Sequence, residues 1–386
     1  MEPAPLESLA ILRAKSGSQV DEQIYRFKDK AERDIGLRFD LTVGMTRYVA
    51  GKKGLRPPIK LASFGGVWRY DEPQHARYRW FYQWDIEVFG DPTTDSDAEV
   101  MDLSYNLFKK LGLSGVVLHV GDRRLVEEYI RSVLKVSSDE KVVEMMRALD
   151  KVGKKTEAEL VREYEPRGVQ PAELRALLEF GRTVGPPDEV LARMDEAGLG
   201  SAAGGLRELR DALAQRGVAN VRYDLSIVRG IDYYTAIVFE VKDGSRPDLG
   251  SLCGGGRYDA LPRIFGRPDL SATGAAGGVE RIALSLGPRP RDEPSVYVAF
   301  TEPELATAAA GALSALRAAG VRSDVGRRAR SLRKQLEDAN SMGFRWVLLV
   351  GRKEYDSGSM LLKDLRDGTE TLVPSKDLSQ VLCAVR

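Results

Sequence analysis

The stretch RYDEPQHARYRWFYQWDIEVFG, residues 69–90, decides how the first half of this 386-residue chain folds. It continues the run IKLASFGGVWRY of residues 59–70, turns at DEPQHA, and returns as RYRWFYQWDIEVFG over residues 77–90. Two apolar-rich runs around a charged turn that contains proline are typical of a β-hairpin. We therefore predict an antiparallel hairpin with a long tip.

The two faces of the returning strand differ in chemistry. Successive side chains of a strand point to opposite sides, and from residue 78 the even positions are all apolar or aromatic: Tyr78, Trp80, Tyr82, Trp84, Ile86 and Val88. We expect this even face to be core. The odd positions are mostly polar: Arg77, Arg79, Phe81, Gln83, Asp85, Glu87 and Phe89.

The polar face of the hairpin has two interpretations. Together with Arg69, it offers cations for an anion, the ring of Phe81 for stacking, the amide of Gln83 and the carboxylate of Glu87. Such a set suits a nucleotide and a small zwitterion. The other interpretation is an antiparallel sheet with one solvated face, on which alternating polar residues are normal.

The composition limits the class of protein. Hydrophobic residues make up 43% and charged residues 30% of the chain, which fits a soluble globular protein of two or three domains. The net charge is only +1, so nucleic-acid binding would need local basic patches. The two cysteines and two histidines predict neither a disulfide framework nor a metal site built from His or Cys, and we expect a cytoplasmic location. No apolar run approaches the ~18 residues of a membrane span.

The pattern of apolar residues changes along the chain. Helical periodicity dominates after residue 121, strands return after residue 217, and strands and helices alternate beyond the run PRPRDEP of residues 288–294. The fold class is α/β in the broad sense. We predict α+β segments on an antiparallel sheet, a helical insertion between them, and a C-terminal α/β domain with a mixed sheet, with the bounds 1–121, 122–217, 218–287 and 288–386.

Several segments resemble one known family. In chain order they are LRFDLT (37–42), WRYDEPQHARYRWFYQWDIEVFG (68–90), IVRGIDYYTAIVFE (227–240), CGGGRYDAL (253–261), GAAGGVERIAL (274–284) and RSLRKQLEDANSMGFRWVLLVG (330–351). They resemble, respectively, the amino-acid-binding strand in its archaeal and eukaryotic form, motif 2, two histidine signatures, motif 3 and the anticodon-binding domain of the histidyl-tRNA synthetases, which are class II aminoacyl-tRNA synthetases. The resemblance makes 1–121 and 218–287 the catalytic domain and 288–386 the anticodon-binding domain.

The resemblance implies a two-step ligation of L-histidine to tRNA-His through a histidyl-adenylate. ATP with Mg²⁺ would be the substrate of the first step. Arg69 and Arg229 would be the catalytic pair at the α-phosphate. Three further residues would bind ATP: Arg77 at the phosphates, Phe81 against the adenine, and Arg281 over the adenine and the γ-phosphate. From the residues alone, an ordinary helix ion pair with Glu280 is the preferred interpretation of Arg281. The alternative for Arg229 is a surface residue in a strand.

The resemblance also implies a histidine site. Asp40, Thr42 and Gln83 match positions that bind the α-amino group, with Leu41 between the first two. Glu87 and Tyr234 match those around the imidazole, with Tyr233 and Tyr258 nearby. A carboxylate and a phenol suit an imidazole, which both donates and accepts a hydrogen bond. Because neighbouring residues of a strand face opposite sides, we expect one of the two adjacent tyrosines to be core.

Partners and alternatives follow from the same resemblance. The run GRRARSLRK (326–334) contains Arg327, Arg328 and Arg330, which would contact tRNA, as would Gln74 in the hairpin tip; the alternative for the run is a solvated basic face. A homodimer is implied. Two other functions remain open: a catalytically silent regulatory subunit of ATP phosphoribosyltransferase, and a tRNA-binding sensor module.

Overall fold

The computed structural model describes residues 1–14, 22–72, 78–228, 233–287, 295–328, 330–376, 378 and 381. The chain divides into two compact units, Met1–Pro288 and Arg289–Arg386. The predicted start of the last domain differs from this division by one position. No helix in the described ranges is long and apolar enough to cross a membrane.

The first unit begins with a small antiparallel sheet. Its strands are β1 (Leu6–Ser8), β2 (Arg26–Lys28) and β3 (Asp34–Leu37), in the order β1-β3-β2. Helix α1 (Leu9–Ala14) follows β1, and α2 (Thr42–Gly51) follows β3. The prediction of LRFDLT as a strand is wrong beyond its first residue. Arg38 instead joins two separate segments, since its N–H bonds to Pro5 O and its carbonyl accepts from Trp68 N.

A large mixed sheet forms the centre of the first unit. Its described strands are β4 (Ile59–Trp68), β5 (Trp80–Phe89), β6 (Val116–Asp122), β7 (Val184–Gly185), β8 (Val221–Asp224), β9 (Ile237–Asp243), β10 (Ser251–Arg257) and β11 (Ala272–Gly278). They lie in the order β4-β5-β11-β10-β9-β6-β8-β7, and every pair is antiparallel except β6 and β8. Strands β4 and β5 pair from Ile59↔Phe89 to Trp68↔Trp80, which confirms the hairpin.

Nine further described helices of the first unit lie between or after the strands of this sheet along the chain. They are α3 (Thr94–Lys110), α4 (Arg123–Glu128), α5 (Asp139–Leu149), α6 (Glu157–Tyr164), α7 (Pro171–Gly181), α8 (Pro187–Glu196), α9 (Gly204–Gln215), α10 (Ala260–Ile264) and α11 (Val279–Leu286). A π-helical turn, Tyr129–Val133, extends α4. Helix α6 begins with a capping box between Thr156 and Glu159, which satisfies two backbone N–H groups at its start.

The expectation that the even face of β5 is core is wrong for half of that face. Trp80 and Tyr82 are 49% and 40% exposed, whereas the odd-numbered Gln83, Asp85 and Glu87 are at most 3% exposed. The division of β5 into an even-numbered aromatic face and an odd-numbered polar face is confirmed. Helix α3 covers only the far end of the aromatic face, where Trp84 meets Phe108 with ring centroids 6.3 Å apart.

A buried ion pair links β10 to the start of α3. The Arg257 guanidinium donates to Asp97 Oδ2 from Nε (3.1 Å) and Nη2 (2.9 Å). It also donates to the carbonyls of Asp91 and Thr93 at 3.1 and 2.8 Å. Both ion-pair partners are buried, and burial raises the pKa of Asp97 despite the adjacent guanidinium. The pair anchors the end of β10, directly before Tyr258.

The second unit is a smaller α/β domain. Its described strands are β12 (Ser295–Phe300), β13 (Arg322–Val325), β14 (Trp346–Val350), β15 (Ser359–Asp364) and β16 (Glu370–Pro374). Its helices are α12 (Ala306–Ala318), α13 (Leu332–Ser341) and α14 (Arg352–Asp356). Strand order is β13-β12-β14-β15-β16, parallel among the first three and antiparallel afterwards, which confirms the predicted mixed sheet.

Candidate active site

The polar face of β5 lies beside strands that have almost no side chains. On the neighbouring strand β11, Gly278 lies opposite Gln83, Ala276 opposite Asp85, and Gly274 opposite Glu87. Directly opposed residues of antiparallel strands share a face. The next strand, β10, continues these rows with Gly254 and Gly256. The polar row of β5, which is Gln83, Asp85 and Glu87, therefore borders a surface of glycines and one alanine on β10 and β11. On this bare floor a ligand could lie against the backbone.

Glu87 is the centre of the buried end of this floor. Tyr258 donates its phenolic O–H to Glu87 Oε2, and both residues are 2% exposed. Burial and the neighbouring carboxylate raise the pKa of Tyr258 well above its ordinary value, so the phenol stays protonated and acts as a donor. A Cβ at position 274 would overlap the Glu87 carboxylate, which explains the glycine there.

The three predicted tyrosines form one aromatic group. Tyr233 and Tyr234 stack with ring centroids 4.2 Å apart, and Tyr258 meets Tyr233 edge-on at 5.7 Å. The expectation that Tyr233 and Tyr234 face opposite sides is wrong, because both precede β9 and neither lies in a strand. Both are buried. The group forms an aromatic wall next to Glu87.

The three residues predicted around the α-amino group surround the start of α2. Asp40 Oδ1 accepts from the N–H of Val43 at 3.2 Å, and Leu41 is fully buried. Thr42 Oγ1 donates to Asp85 Oδ2 at 3.2 Å, and Gln83 Nε2 donates to Asp85 Oδ1 at 2.8 Å. The structure thus joins the LRFDLT segment to β5.

Asp85 was not among the predicted site residues. Its odd-numbered position between Gln83 and Glu87 was the available signal, since parity placed it on the polar face. Its role as shared acceptor could not be read from the sequence, because Thr42 lies 43 positions away.

Arg69 and Phe81 lie together at the outer end of the polar row. Arg69 donates from Nε to Phe39 O at 3.0 Å and from Nη2 to Gln83 Oε1 at 3.1 Å. Its guanidinium carbon lies 5.2 Å from the Phe81 ring centroid. A cation held by a backbone carbonyl and an amide, next to an aromatic ring, can contact an anion beside a stacked base.

Arg281 lies on α11, directly after β11. Its Nη1 donates to Ser251 O at 3.0 Å, at the start of β10. Its neighbour Glu280 accepts from the backbone N–H of Tyr82 at 2.9 Å, which ties α11 to the hairpin. Helix α11 therefore begins where the polar row of β5 starts.

Three predicted residues, Gln74, Arg77 and Arg229, lie outside the described residues. The residue before Arg229 is described: Val228 O accepts from Arg123 Nη1 at 2.7 Å. Within the described ranges, no group of three or more His, Cys, Asp or Glu side chains is arranged to hold a metal ion.

The basic run of the second unit is exposed. Arg327 and Arg328 precede α13, and Arg330 and Arg333 pair with Asp338 and Glu337 at 3.2 and 3.1 Å. Helix α13 therefore partly neutralises Arg330 and Arg333. In the part of the chain that the structure describes, Arg327 and Arg328 have no ion-pair partner, which leaves them available for an external anion.

This combination defines a class of protein. A polar row beside a bare antiparallel floor, with an arginine and an aromatic ring at its outer end and an α/β domain following, is the organisation of a class II aminoacyl-tRNA synthetase. A family model described as histidyl-tRNA synthetase matches residues 1–282, and one described as anticodon binding domain matches residues 295–384. The chain belongs to the histidyl-tRNA synthetase family.

Individual relatives agree with the family models. The chain is 36% identical to a histidine–tRNA ligase of Thermococcus kodakarensis over 94% of this chain and 86% of the relative. It is 34% identical to that of Pyrococcus horikoshii, over 95% and 86%. The crystal structure of histidyl-tRNA synthetase from Nostoc sp. PCC 7120 has a TM-score of 0.81 and 25% identity, covering 100% of this chain and 90% of that one.

Proposed function

We propose that the protein is a histidine–tRNA ligase, which joins L-histidine to tRNA-His with ATP as the second substrate. The observation that carries the proposal is the buried Glu87–Tyr258 pair beside the bare floor. The carboxylate accepts a hydrogen bond from an imidazole N–H, and a protonated phenol of the aromatic wall donates to the other ring nitrogen. Burial makes such pairing selective, because a ligand without the matching groups leaves polar atoms unpaired.

The first step needs charge stabilisation rather than proton transfer. A histidine carboxylate oxygen attacks the α-phosphorus of MgATP, and the bond from that phosphorus to the bridging oxygen breaks, releasing pyrophosphate. Arg69 and Arg229 hold the carboxylate and the α-phosphate, while Arg77 and Arg281 contact the remaining phosphates. Phe81 and Arg281 enclose the adenine. Fixed guanidinium groups stabilise the charge on the phosphoryl oxygens because their planar fork matches phosphate geometry.

The second step transfers the histidyl group. The terminal ribose hydroxyl of tRNA attacks the carbonyl carbon of the adenylate, its proton passes to a phosphate oxygen of the departing AMP, and AMP leaves with the electron pair of the broken carbon–oxygen bond. Gln74 contacts the acceptor end, and Arg327, Arg328 and Arg330 contact the anticodon arm. The second unit supports this reading over a silent regulatory subunit, because it matches an anticodon-binding domain.

A homodimer in the cytoplasm completes the proposal. On the outer face of the hairpin, Phe64, Trp80 and Tyr82 are 56%, 49% and 40% exposed. Contiguous exposed apolar patches mark interaction surfaces.

Charging of a tRNA-His transcript tests the tRNA part of the proposal. We expect the wild-type protein to attach labelled histidine to the transcript, and the Arg327→Glu/Arg328→Glu variant to raise the KM for tRNA about tenfold or more. The reason is that two phosphate-contacting cations become anions on an exposed surface. Histidine-dependent exchange of pyrophosphate into ATP should stay within twofold of wild type, since it does not involve tRNA.

A matched control uses the paired cations of α13. The Arg333→Glu variant alters a cation that pairs with Glu337 on the same helix, and we expect a smaller rise in KM. Wild-type protein that supports histidine-dependent exchange yet charges no tRNA-His transcript would contradict the assigned tRNA partner. Unchanged KM in the double variant would remove Arg327 and Arg328 from the interface.

A further inference from the structure

We propose that Asp85 is a positioning residue that makes the amino end of the site selective for the α-ammonium group of histidine. The inference rests on the proposed function and deepens it. Asp85 is 1% exposed on β5, and it accepts hydrogen bonds from two of the residues predicted around that group. It acts through Thr42 and Gln83 rather than in their place.

The directions of the hydrogen bonds from Thr42 and Gln83 to Asp85 support this role. A threonine hydroxyl has one hydrogen, and that of Thr42 is directed to Asp85 Oδ2. The hydroxyl oxygen therefore presents only lone pairs to a ligand. Gln83 commits an amide hydrogen to Asp85 Oδ1, which fixes the orientation of its amide. Its Oε1 consequently points away from Asp85, toward the guanidinium of Arg69, at 3.1 Å.

The result is a set of acceptors. An ammonium group has three N–H donors and no acceptor, so it requires oxygens that are free to accept. Asp85 takes the single hydrogen of the Thr42 hydroxyl and one of the two amide hydrogens of Gln83, and a lone pair of each side-chain oxygen remains as an acceptor. Asp40, which is 7% exposed and caps the N–H of Val43, adds a second buried carboxylate at the start of α2.

An asparagine at position 85 would reverse this arrangement. Its amide can accept from one partner but must donate toward the other, so either the Thr42 oxygen or the Gln83 oxygen is consumed as an acceptor. The buried negative charge is lost as well. Shape and volume change little, so the substitution addresses the polarity of the site more than its packing.

Two histidine analogues separate this role from general damage to the pocket. Histidinol has the ammonium and imidazole groups but no carboxylate; imidazolepropionate has the carboxylate and imidazole but no ammonium. By calorimetry on the full chain, we expect Asp85→Asn to weaken histidinol binding about tenfold or more, and to leave imidazolepropionate binding within twofold. Equal weakening of both analogues would overturn the proposal and make Asp85 a structural residue.

A second variant keeps the test decisive if Asp85→Asn does not fold. Thr42→Val removes the hydroxyl at nearly constant shape, and we expect the same selective loss of histidinol binding. The matched control is Thr46→Val on the same helix, because Thr46 is buried and donates to the Thr42 carbonyl. Thr46→Val should change neither analogue's affinity. If wild-type protein binds neither analogue, the proposed function itself fails; if it binds both and Thr42→Val weakens both equally, only the role of Asp85 fails.

Discussion

Glu87→Gln is expected to lower kcat/KM for histidine in pyrophosphate exchange by about 10²-fold or more, because the buried carboxylate loses a charge-assisted hydrogen bond and one donor is left mispaired. The carboxylate accepts from Tyr258 and, in the proposed complex, from the imidazole N–H. A glutamine amide has one oxygen and one NH₂ group, so one of these donors would meet another donor. A lost hydrogen bond to a charged group alone accounts for about 1.5–3 kcal/mol.

The loss should be specific for histidine. We expect the KM for ATP to change less than threefold, since the nucleotide contacts lie at the other end of the polar row with Arg69 and Phe81. Tyr258→Phe is the matched control: it removes one donor to Glu87 and leaves the carboxylate, so we expect a smaller loss. A Glu87→Gln enzyme with wild-type kcat/KM for histidine would contradict the placement of the imidazole.

Arg257→Leu is expected to destabilise the first unit by about 3–5 kcal/mol, the cost of leaving one partner of a buried ion pair alone. The substitution removes every donor to Asp97 that the guanidinium supplies, together with its bonds to the carbonyls of Asp91 and Thr93. Asp97, 2% exposed, would remain as a buried carboxylate. The measurement is denaturant unfolding of the full chain, followed by a probe in the first unit.

The pH dependence of this loss has a defined sign. Burial already raises the pKa of Asp97 in the folded protein, and removing the cation raises it further. A carboxyl group whose pKa is higher in the folded than in the unfolded chain lowers the free energy of unfolding at any pH above the unfolded-state pKa. This loss of stability disappears at low pH, where the group is protonated in both states. The deficit of Arg257→Leu should therefore shrink as the pH falls from neutral, through the raised folded pKa of Asp97, toward the ordinary range of an aspartate, which unfolding curves at several pH values measure.

A double variant separates the ion pair from packing. Arg257→Leu/Asp97→Leu removes both charges, and we expect it to recover part of the lost stability, since the isolated charge is no longer buried. A double variant less stable than Arg257→Leu would show that Asp97 stabilises the fold through partners other than Arg257, and would contradict the isolated buried charge as the source of the loss.

Local pattern predicted the hairpin and the two faces of β5. It did not predict which face is buried. That depends on distant segments: Arg69 bonds to Phe39 and Thr42 bonds to Asp85, so the chain before and within α2 covers the polar face. Helix α3, by contrast, reaches only the far end of the aromatic face at Trp84.

The same limit applies to the site. Glu87, Gln83 and Phe81 follow from parity and family resemblance because they lie on one strand. The Arg257–Asp97 pair joins residues 160 positions apart, and the Tyr258–Glu87 bond joins residues 171 apart. Side-chain pairs of this separation are set by the order of strands in the sheet, which alternation along one strand does not contain.

Exchange of labelled pyrophosphate into ATP, measured with each amino acid in turn, decides whether the site selects histidine. We expect exchange with L-histidine and none above background with the other nineteen amino acids, because only an imidazole pairs with both Glu87 and a phenol of the tyrosine group. Folded protein that shows no exchange with any amino acid, or equal exchange with several, would contradict it.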